Sequence, residues 1–306
     1  MTTGRFCIAL TVIAILSCQH TQPAAPEDNF TATQIGEVTD NDVSEISGMV
    51  QSRVNPDVLW VINDSGDQAR IYALSQTGEM QTSITIDGAD NDDWEDLALF
   101  NHQGINYLLI ADTGGNTSDR NKFDLYIIVE PDLGDAPEKA ALQWRIRFRY
   151  EDEPRDCEAV AVDASQEKIY LLSKRSVPSV LYELPLHPND DGVILAKKRG
   201  EITTIPQPTA DDIKERYDEY QSQPTGLDVT ANGQQIVILT YRRLFLYDRA
   251  EDKNWIDALN TTPLQIEFPK LKQAEAVCFY ENGQALLVTS EHIPAPILKI
   301  EPKTAP

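Results

Sequence analysis

The sequence is poor in the residues on which most known active sites depend. Its 306 residues include only four histidines and four cysteines. It contains no Gly-x-Ser-x-Gly motif, no phosphate-binding glycine loop and no Cys/His spacing typical of zinc. So few histidines argue against a Ser-His-Asp triad. Two cysteines, Cys157 and Cys278, lie beyond the N-terminal region, and we expect buried free thiols there, with a disulfide as the alternative.

Positive charge is also scarce. The chain has 26 lysines and arginines against 49 aspartates and glutamates, which gives a formal net charge of −23 at pH 7. Such an excess argues against nucleic acid and against an anionic membrane face as binding surfaces. We therefore expect a soluble monomer that binds no nucleic acid and that is suited to collect cations.

Long apolar runs are absent except near the N-terminus. There Arg5 precedes the run Phe6–Leu16, which is too short to span a bilayer and predicts a signal peptide over residues 1–17. Ile15-Leu16-Ser17-Cys18 resembles the lipobox of bacterial lipoproteins, which implies lipidation of Cys18. Gln19, in place of Asp, implies the outer membrane, with the protein facing the periplasm or the surface. A secreted protein cleaved elsewhere is the alternative.

Residues 18–31 are polar and rich in proline and alanine, which predicts a flexible tether. The remaining residues, 32–306, repeat one motif five times: a polar pair two residues apart, a small residue and an apolar run. Residues two apart in a strand share a face, so each copy places two polar side chains together where a buried strand begins. The five pairs are Glu45/Ser47, Asp93/Glu95, Asp156/Glu158, Gln223/Thr225 and Gln273/Glu275.

A second polar column follows the first at a nearly constant distance. Each member ends an apolar run 16 or 17 residues after a pair, and the five are Asp64, Asp112, Lys174, Tyr241 and Glu291. Each repeat has four strand-like runs except the last, which has three, and Thr33–Val38 can supply the missing strand. Four-stranded repeats predict an all-β fold, a β-propeller of five four-stranded blades that the N-terminal strand closes.

The segment between the third and fourth repeats has two interpretations. We place the outermost strand of blade three at Glu201–Ile205, followed by a helical insertion at Thr209–Gln221 with a cap residue and apolar residues at helical spacing. The alternative is a sixth, degenerate blade between residues 187 and 223. A second short helix is predicted near Glu251–Leu259.

In a propeller, the start of the innermost strand and the end of the next strand lie on the same rim, so both columns should surround one mouth of the channel. Candidate metal ligands are Glu45, Asp93, Glu95, Asp156, Glu158 and Glu275. So many carboxylates need protons, basic side chains or a metal to neutralise them, and all-oxygen donors favour Ca²⁺. The alternative is that each glutamate accepts backbone amides of the neighbouring blade and only holds the ring together.

Candidate ligand-binding residues come from the second column and the loops beside it. They are Asp64, Asp67, Asp112, Asn116, Lys174, Arg175, Tyr241, Arg242 and Glu291. The loops Asn63–Asp67 and Ala111–Asn116 are rich in Gly, Asp and Asn, so a role in tight turns is the alternative for them. Three histidines, His102, His187 and His292, lie outside the inner column.

Four motifs resemble those of the bacterial propellers grouped as SdiA-regulated and esterase-like or phytase-like proteins. They are Asn63-Asp64-Ser65-Gly66-Asp67, Asp93-Trp94-Glu95-Asp96-Leu97-Ala98, Asp156-Cys157-Glu158-Ala159 and Ala274-Glu275-Ala276. The resemblance implies a propeller, often with Ca²⁺ near the channel, and implies no single activity. Ser47 and Thr225 depart from it, because they replace the acidic residue in two blades.

Two classes of function are compatible with these features. The first is a lipid-anchored binding module of the cell envelope, whose Ca²⁺-dependent mouth takes a small-molecule or protein ligand. The second is a metal-dependent hydrolase, in which a metal-bound water attacks a phosphoester while Lys174, Arg175 or Arg242 holds the anion. A glycosidase would use Asp93 and Glu158 as base and acid, but few aromatic residues are predicted at the mouth to stack a sugar. We favour the binding module.

Overall fold

Twenty β-strands form almost all of the structure. The computed structural model describes residues 29–115, 120–189, 192–207 and 222–303. Within these ranges it contains twenty strands, one α-helix and three single-turn 3-10 helices. The predicted signal peptide, the Cys18 lipidation site and the predicted insertion helix at 209–221 lie outside the described residues. In the described part, no helix is long and apolar enough to cross a membrane.

The strands form five antiparallel groups of four, which we call blades one to five. Blade one contains β2 (Ile46–Gln51), β3 (Val58–Asn63), β4 (Arg70–Ser75) and β5 (Met80–Asp87). Blade two contains β6 (Trp94–His102), β7 (Ile105–Asp112), β8 (Phe123–Val129) and β9 (Lys139–Tyr150). Blade three contains β10 (Cys157–Asp163), β11 (Lys168–Ser173), β12 (Ser179–Pro185) and β13 (Val193–Ile202).

The last two blades follow the same order from inside to outside. Blade four contains β14 (Pro224–Val229), β15 (Gln235–Thr240), β16 (Arg243–Asp248) and β17 (Leu264–Glu267). Blade five contains β18 (Ala274–Tyr280), β19 (Ala285–Ser290), β20 (Ala295–Pro302) and the N-terminal β1 (Phe30–Val38). The helix α1 (Trp255–Leu259) lies between β16 and β17, where the sequence predicts a short helix. The 3-10 turns are Asn41–Val43, Leu133–Asp135 and Glu281–Gly283.

The innermost strands form a closed ring. Each contacts the innermost strand of the next blade: β2 with β6, β6 with β10, β10 with β14, β14 with β18, and β18 with β2. The strand β1 pairs antiparallel with β20 from Phe30 opposite Pro302 to Val38 opposite Ala295. The fold is therefore a five-bladed β-propeller that the N-terminal strand completes, as predicted.

The apolar runs explain which strands lie inside. Every residue of β3 and of β19 is buried, as expected for strands covered on both faces by neighbouring blades. The large side chains Trp60, Trp94 and Trp255 are fully buried. Cys157 and Cys278 are buried and free, which confirms that they form no disulfide.

The outer strands of blades one to three are joined, which the sequence does not predict. The long strand β9 pairs in parallel with β5 at one end and with β13 at the other. The prediction of Glu201–Ile205 as the outermost strand of blade three is wrong, because that strand is β13, Val193–Ile202. Much of β13 is exposed and charged, so no apolar run marks it in the sequence. Its position is fixed by pairing with β12 and β9. These pairings also cover strand edges that would otherwise be open.

Each innermost strand carries a β-bulge at the same place. One residue near its start has no partner in the pairing with the second strand, and these residues are Ser47, Glu95, Glu158, Thr225 and Glu275. The bulged residues are thus the second members of the five predicted pairs. Bulges re-aim side chains and are common beside functional sites.

Two aspartates fill the axis of the ring. The carboxylate of Asp96 in blade two accepts the N–H groups of Val160 (2.7 Å) and Leu227 (3.3 Å), which belong to blades three and four. Asp228 of blade four accepts the N–H of Phe279 in blade five at 2.7 Å. Both satisfy amides on inner strand edges that have no strand partner. Burial holds the pKa of Asp96 well above its usual value.

The residue after the bulge is small in four blades, which allows close packing of the ring. A Cβ on Gly48 would lie 2.6 Å from Leu97 N and 2.9 Å from Asp96 C, both rigid backbone atoms of blade two. At the matching position in blade four, a Cβ on Gly226 would lie 3.1 Å from its nearest neighbours. Gly48→Ala should therefore lower the free energy of unfolding by about 2–3 kcal/mol, and Gly226→Ala by about 1 kcal/mol or less.

Urea unfolding of the two variants measures this difference as a shift of the midpoint at an unchanged slope. Equal midpoints for Gly48→Ala and the unmodified protein would show that blades one and two do not pack as closely as the structure has them.

Candidate functional site

Two groups of three carboxylates meet at Glu95. Asp64, Asp93 and Glu95 each place an oxygen within 4.8 Å of the others, and so do Glu95, Asp156 and Glu158. We call these five residues the acidic cluster. They follow β3 or lie at the starts of β6 and β10, so distant parts of the chain share one rim, as the sequence predicts for the mouth.

Glu95 has a buried carboxylate oxygen with neither a hydrogen bond nor an ion pair among the described residues. Its side chain is 4% exposed, and its buried Oε1 has no hydrogen-bond partner within the described part of the chain. A side chain on Gly114 would overlap the carboxylates of Asp93 and Glu95, so the glycine leaves the space that they occupy. An isolated buried carboxylate is costly unless a proton or a cation neutralises it.

A lysine neutralises one side of the mouth. Lys174 follows β11 and is 4% exposed. Its Nζ pairs with Glu158 and lies 3.8 Å from Glu275 Oε1, and the Tyr241 ring centroid is 5.4 Å from the same atom. Although burial alone lowers it, the charges of Glu275 and Glu158 raise the pKa of Lys174 well above its usual value. The lysine therefore remains charged between its two glutamates.

Two arginines hold further carboxylates. Arg175 pairs with Asp156, whose Oδ1 also accepts the N–H of Gly115 at 2.9 Å. Arg120 Nη2 lies 2.6 Å from Asp112 Oδ1, and the same oxygen accepts the N–H of Asp93 at 3.1 Å. Asp112 thus positions the start of β6 and is fully buried rather than open to the mouth.

Hydrogen bonds continue the ring from blade five to blade one. Gln273 Nε2 donates to Glu275 Oε1 at 2.9 Å and to Glu291 Oε2 at 2.6 Å. Glu291, Glu45 and His292 place side-chain atoms within 4.8 Å of one another, with His292 Nδ1 3.5 Å from Glu45 Oε1. The predicted acidic residues therefore surround one mouth of the propeller.

The two blades without a glutamate at the bulge use a hydroxyl instead. Ser47 Oγ donates to the carbonyl of Trp94 at 2.8 Å, and Thr225 Oγ1 donates to the carbonyl of Ala274 at 2.7 Å. Both bonds tie one blade to the next. The alternative prediction is that the glutamates join the blades by accepting backbone amides. Among the described residues, no backbone N–H donates to the side chains of the three bulged glutamates, so the hydroxyls rather than the glutamates make this kind of link.

The carboxyl groups of the mouth have raised pKa values. Burial, together with the charge and hydrogen bond of Asp64, raises the pKa of Asp93 to about 6. Burial, with the charges of Glu158 and Asp64, holds the pKa of Glu95 well above its usual range. Burial, with the charges of Glu275 and Asp64, raises the pKa of Glu291 to about 9. Asp64 acts on all three because they face one hollow.

Two of the predicted ligand-binding residues, Asp67 and Arg242, do not contact the acidic cluster within the described part of the chain. Asp67 is bound by Arg70 Nη2 at 2.8 Å and by the Tyr72 hydroxyl, and these bonds lower its pKa against the effect of burial. Arg242 makes no hydrogen bond or ion pair to the cluster within the described residues. Asn116 lies outside the described residues.

Sequence reasoning missed several contributors. Asp96 is the one large residue at a position where the other blades have Gly or Ala, which is a signal in the sequence itself. Gln273 belongs to a predicted pair, but its bridging of two glutamates depends on rotamers that no sequence pattern shows. His292 lies beside the rim because its backbone N–H donates to the carbonyl of Ser44 in blade one at 2.9 Å.

Comparisons with known proteins add similarity at the level of overall shape. No family model matches the chain, and no curated protein matches its sequence. Among solved structures, the Neurospora crassa Pan2 WD40 domain is 9% identical with a TM-score of 0.42, over 92% of this chain and 99% of that chain. The Myceliophteria thermophila Cps50 (Swd1) β-propeller domain is 16% identical with a TM-score of 0.39, over 81% of this chain and 67% of that chain. The assignment of a propeller fold rests on the strand pairing described above.

The raised pKa values predict how stability depends on pH when no metal is added. The folded state holds protons that the unfolded state has released above pH 4 to 5, so the stabilisation present below that pH is lost as pH rises through the folded values. These values are about 6 for Asp93 and about 9 for Glu291. In the presence of a chelator, the free energy of unfolding should therefore fall steadily from about pH 5 to about pH 9.

Urea unfolding across this range tests the direction. Asp93→Asn should reduce the fall in the free energy of unfolding below about pH 6. Glu291→Gln should reduce that fall up to about pH 9. Glu267→Gln, which removes the charge of a side chain that is 57% exposed, is the control and should leave the slope unchanged. A free energy that stays constant or rises from pH 5 to 9 would contradict the electrostatics of the mouth.

Proposed function

We propose that the protein is a cell-envelope binding module with a Ca²⁺-dependent site at the acidic mouth of its propeller. The observation that carries the proposal is Glu95, whose buried Oε1 has no protein partner although it belongs to both carboxylate groups. A bound cation supplies the missing partner and lowers the repulsion in the cluster at the same time.

The basic side chains of the mouth leave one part of it without a counter-charge. Lys174 forms ion pairs with Glu158 and Glu275, and Arg175 forms an ion pair with Asp156. Asp64, Asp93 and Glu95 have no such ion pair among the described residues. We therefore place the cation among these three, with Asp156 and Glu158 as the second side of the site.

The donor set supports Ca²⁺ over other ions. All five side chains offer carboxylate oxygens, which hard cations prefer. Ca²⁺ binds oxygens at about 2.3–2.6 Å with flexible geometry, so opposite ligands lie about 5 Å apart. The oxygens of each carboxylate group lie within 4.8 Å of one another, close enough to share one such ion. Ligands from several blades suit such flexible geometry better than the strict octahedron of Mg²⁺.

The ligand of the module is expected to contact the metal and the more exposed residues of the rim. Glu45 and His292 have side chains that are 44% and 50% exposed, so they can contact a partner that covers the mouth. A small molecule or a protein segment that carries its own oxygen donors fits this arrangement. With a net charge of −23, the chain is not expected to bind nucleic acid.

The cellular setting is part of the proposal and rests on the sequence. The lipobox-like Ile15-Leu16-Ser17-Cys18 supports an outer-membrane lipoprotein that is attached through its N-terminal lipid alone. That the protein is a monomer is part of the same proposal. The SdiA-regulated and esterase-like or phytase-like resemblance remains a hypothesis, supported by the motifs that surround the mouth.

No observation favours the hydrolase alternative. Lys174 and Arg175, which would hold the anion, are engaged in ion pairs with carboxylates of the mouth. Arg242 has no contact to the cluster among the described residues. The surroundings of the cluster are acidic, which opposes the approach of a phosphoester unless several cations are bound first.

Calcium should stabilise the folded protein. At a Ca²⁺ concentration of about 100 times Kd, binding adds about 2.7 kcal/mol, which corresponds to a rise in Tm of about 5–10 °C over the chelator-treated protein. Glu95→Gln should abolish most of this rise, because it removes the charge of the residue shared by both groups. Differential scanning calorimetry with Ca²⁺ and with a chelator measures both.

The control is Glu267→Gln, which removes an exposed carboxylate of blade four and should keep the full response to Ca²⁺. An unmodified protein that retains no metal after purification and melts at the same temperature with Ca²⁺ and chelator would rule out the site.

The lipid anchor is tested separately. Cys18→Ala should prevent incorporation of labelled palmitate and move the protein from the membrane fraction to the soluble fraction of the producing bacterium. Cys7→Ala, within the predicted signal peptide, should leave both unchanged. Labelling that persists in Cys18→Ala would contradict lipidation at this residue.

A further inference from the structure

Two histidines, His102 and His187, lie in contact far from the acidic mouth. His102 ends β6, the strand that begins beside Glu95, so the two residues are seven positions apart along the strand. At about 3.3 Å per residue this places them roughly 20 Å apart, at opposite ends of the strand. His187 follows β12 of blade three and meets His102 across the boundary between the blades.

The two imidazoles face each other and are held by aromatic neighbours. The ring centroids of His102 and His187 are 4.6 Å apart and tilted by 48°. The Trp144 ring lies 4.6 Å from the His187 ring, and Trp144 Nε1 donates to the carbonyl of Leu186 at 3.2 Å. Tyr107 packs on Trp144 at 5.1 Å. An apolar wall of this kind excludes water from one side of a pair of ligands.

The ring nitrogens of the pair are available. Among the described residues, neither imidazole makes a hydrogen bond or an ion pair, and His187 is exposed while His102 is half-buried. Burial and the neighbouring His102 lower the pKa of His187. Ring nitrogens without a protein partner can offer lone pairs to a metal ion.

A carboxylate lies near the pair. The N–H of Leu186 donates to the carbonyl of Glu167 at 2.9 Å, which brings Glu167 beside His187. The charge of Glu167 acts on His187 in the direction expected for a close anion. The two imidazoles offer nitrogen donors, which differ in kind from the all-oxygen mouth, and Glu167 adds a negative charge nearby that favours a cation.

We propose that His102 and His187 form a binding site for a divalent transition-metal ion, with water as the further donor. Imidazole nitrogens suit Cu²⁺, Zn²⁺ and Ni²⁺, and among these Cu²⁺ binds a given nitrogen and oxygen site most tightly. Hard cations such as Ca²⁺ prefer oxygen, so the pair and the acidic mouth select different ions.

Trp144 provides a direct test, because Cu²⁺ quenches the fluorescence of an indole close to it. Tag-free protein in excess Ca²⁺, which occupies the acidic mouth, is titrated with Cu²⁺. The expected result is saturable quenching at one Cu²⁺ per chain, and Trp144→Phe should remove that quenching while calorimetric titration still shows Cu²⁺ binding.

Substitutions by phenylalanine separate ligation from ring packing. His102→Phe and His187→Phe keep an aromatic ring but remove the ligand atoms, and each should weaken Cu²⁺ binding at least tenfold. The matched control is a histidine outside both sites, and His20→Ala should bind Cu²⁺ as the unmodified protein does. Absence of saturable binding, or binding that survives in His187→Phe, would overturn the proposal.

Discussion

Repulsion between carboxylates in a buried hollow is the constraint on which the mouth of this propeller depends. Glu95, Glu158 and Glu275 are at most 4% exposed and come from three different blades. Two unit charges about 4 Å apart repel by about 4 kcal/mol at an effective dielectric constant of about 20. Several such pairs exceed what the packing of a few side chains contributes, so each carboxylate needs a proton, a basic partner or a cation.

The protein meets this requirement unevenly around the ring. Toward blades three and five, Lys174 stands between two glutamates and remains charged. Toward blades one and two, Asp64, Asp93 and Glu95 meet without a basic partner in the described residues, and Gly114 leaves room beside them. Joining the blades does not by itself require carboxylates without a basic partner, because the hydroxyls of Ser47 and Thr225 join the blades in blades one and four. This uneven distribution of basic partners is the reason for placing the proposed cation beside Glu95.

Much of the fold and of the acidic mouth could be predicted because the five repeats are visible in the sequence. Polar pairs before apolar runs predict the five innermost strands, the closing strand and the convergence of Glu95, Glu158 and Glu275. The five bulges could not be predicted, since a bulge depends on the partner strand. The position of β13 depends on parallel pairing with β9, a strand of another blade. The capture of Asp67 by Arg70 and Tyr72 is local, and the sequence shows both partners within five residues.

Asp96 and Asp228 join the blades inside the ring. Asp96 accepts amides of blades three and four, and Asp228 accepts an amide of blade five. The acidic cluster lies at the start of β6, and His102 lies at its end. Carboxylate oxygens suit hard cations, whereas imidazole nitrogens suit transition metals. One strand therefore carries two different kinds of donor atom at opposite ends of the same domain.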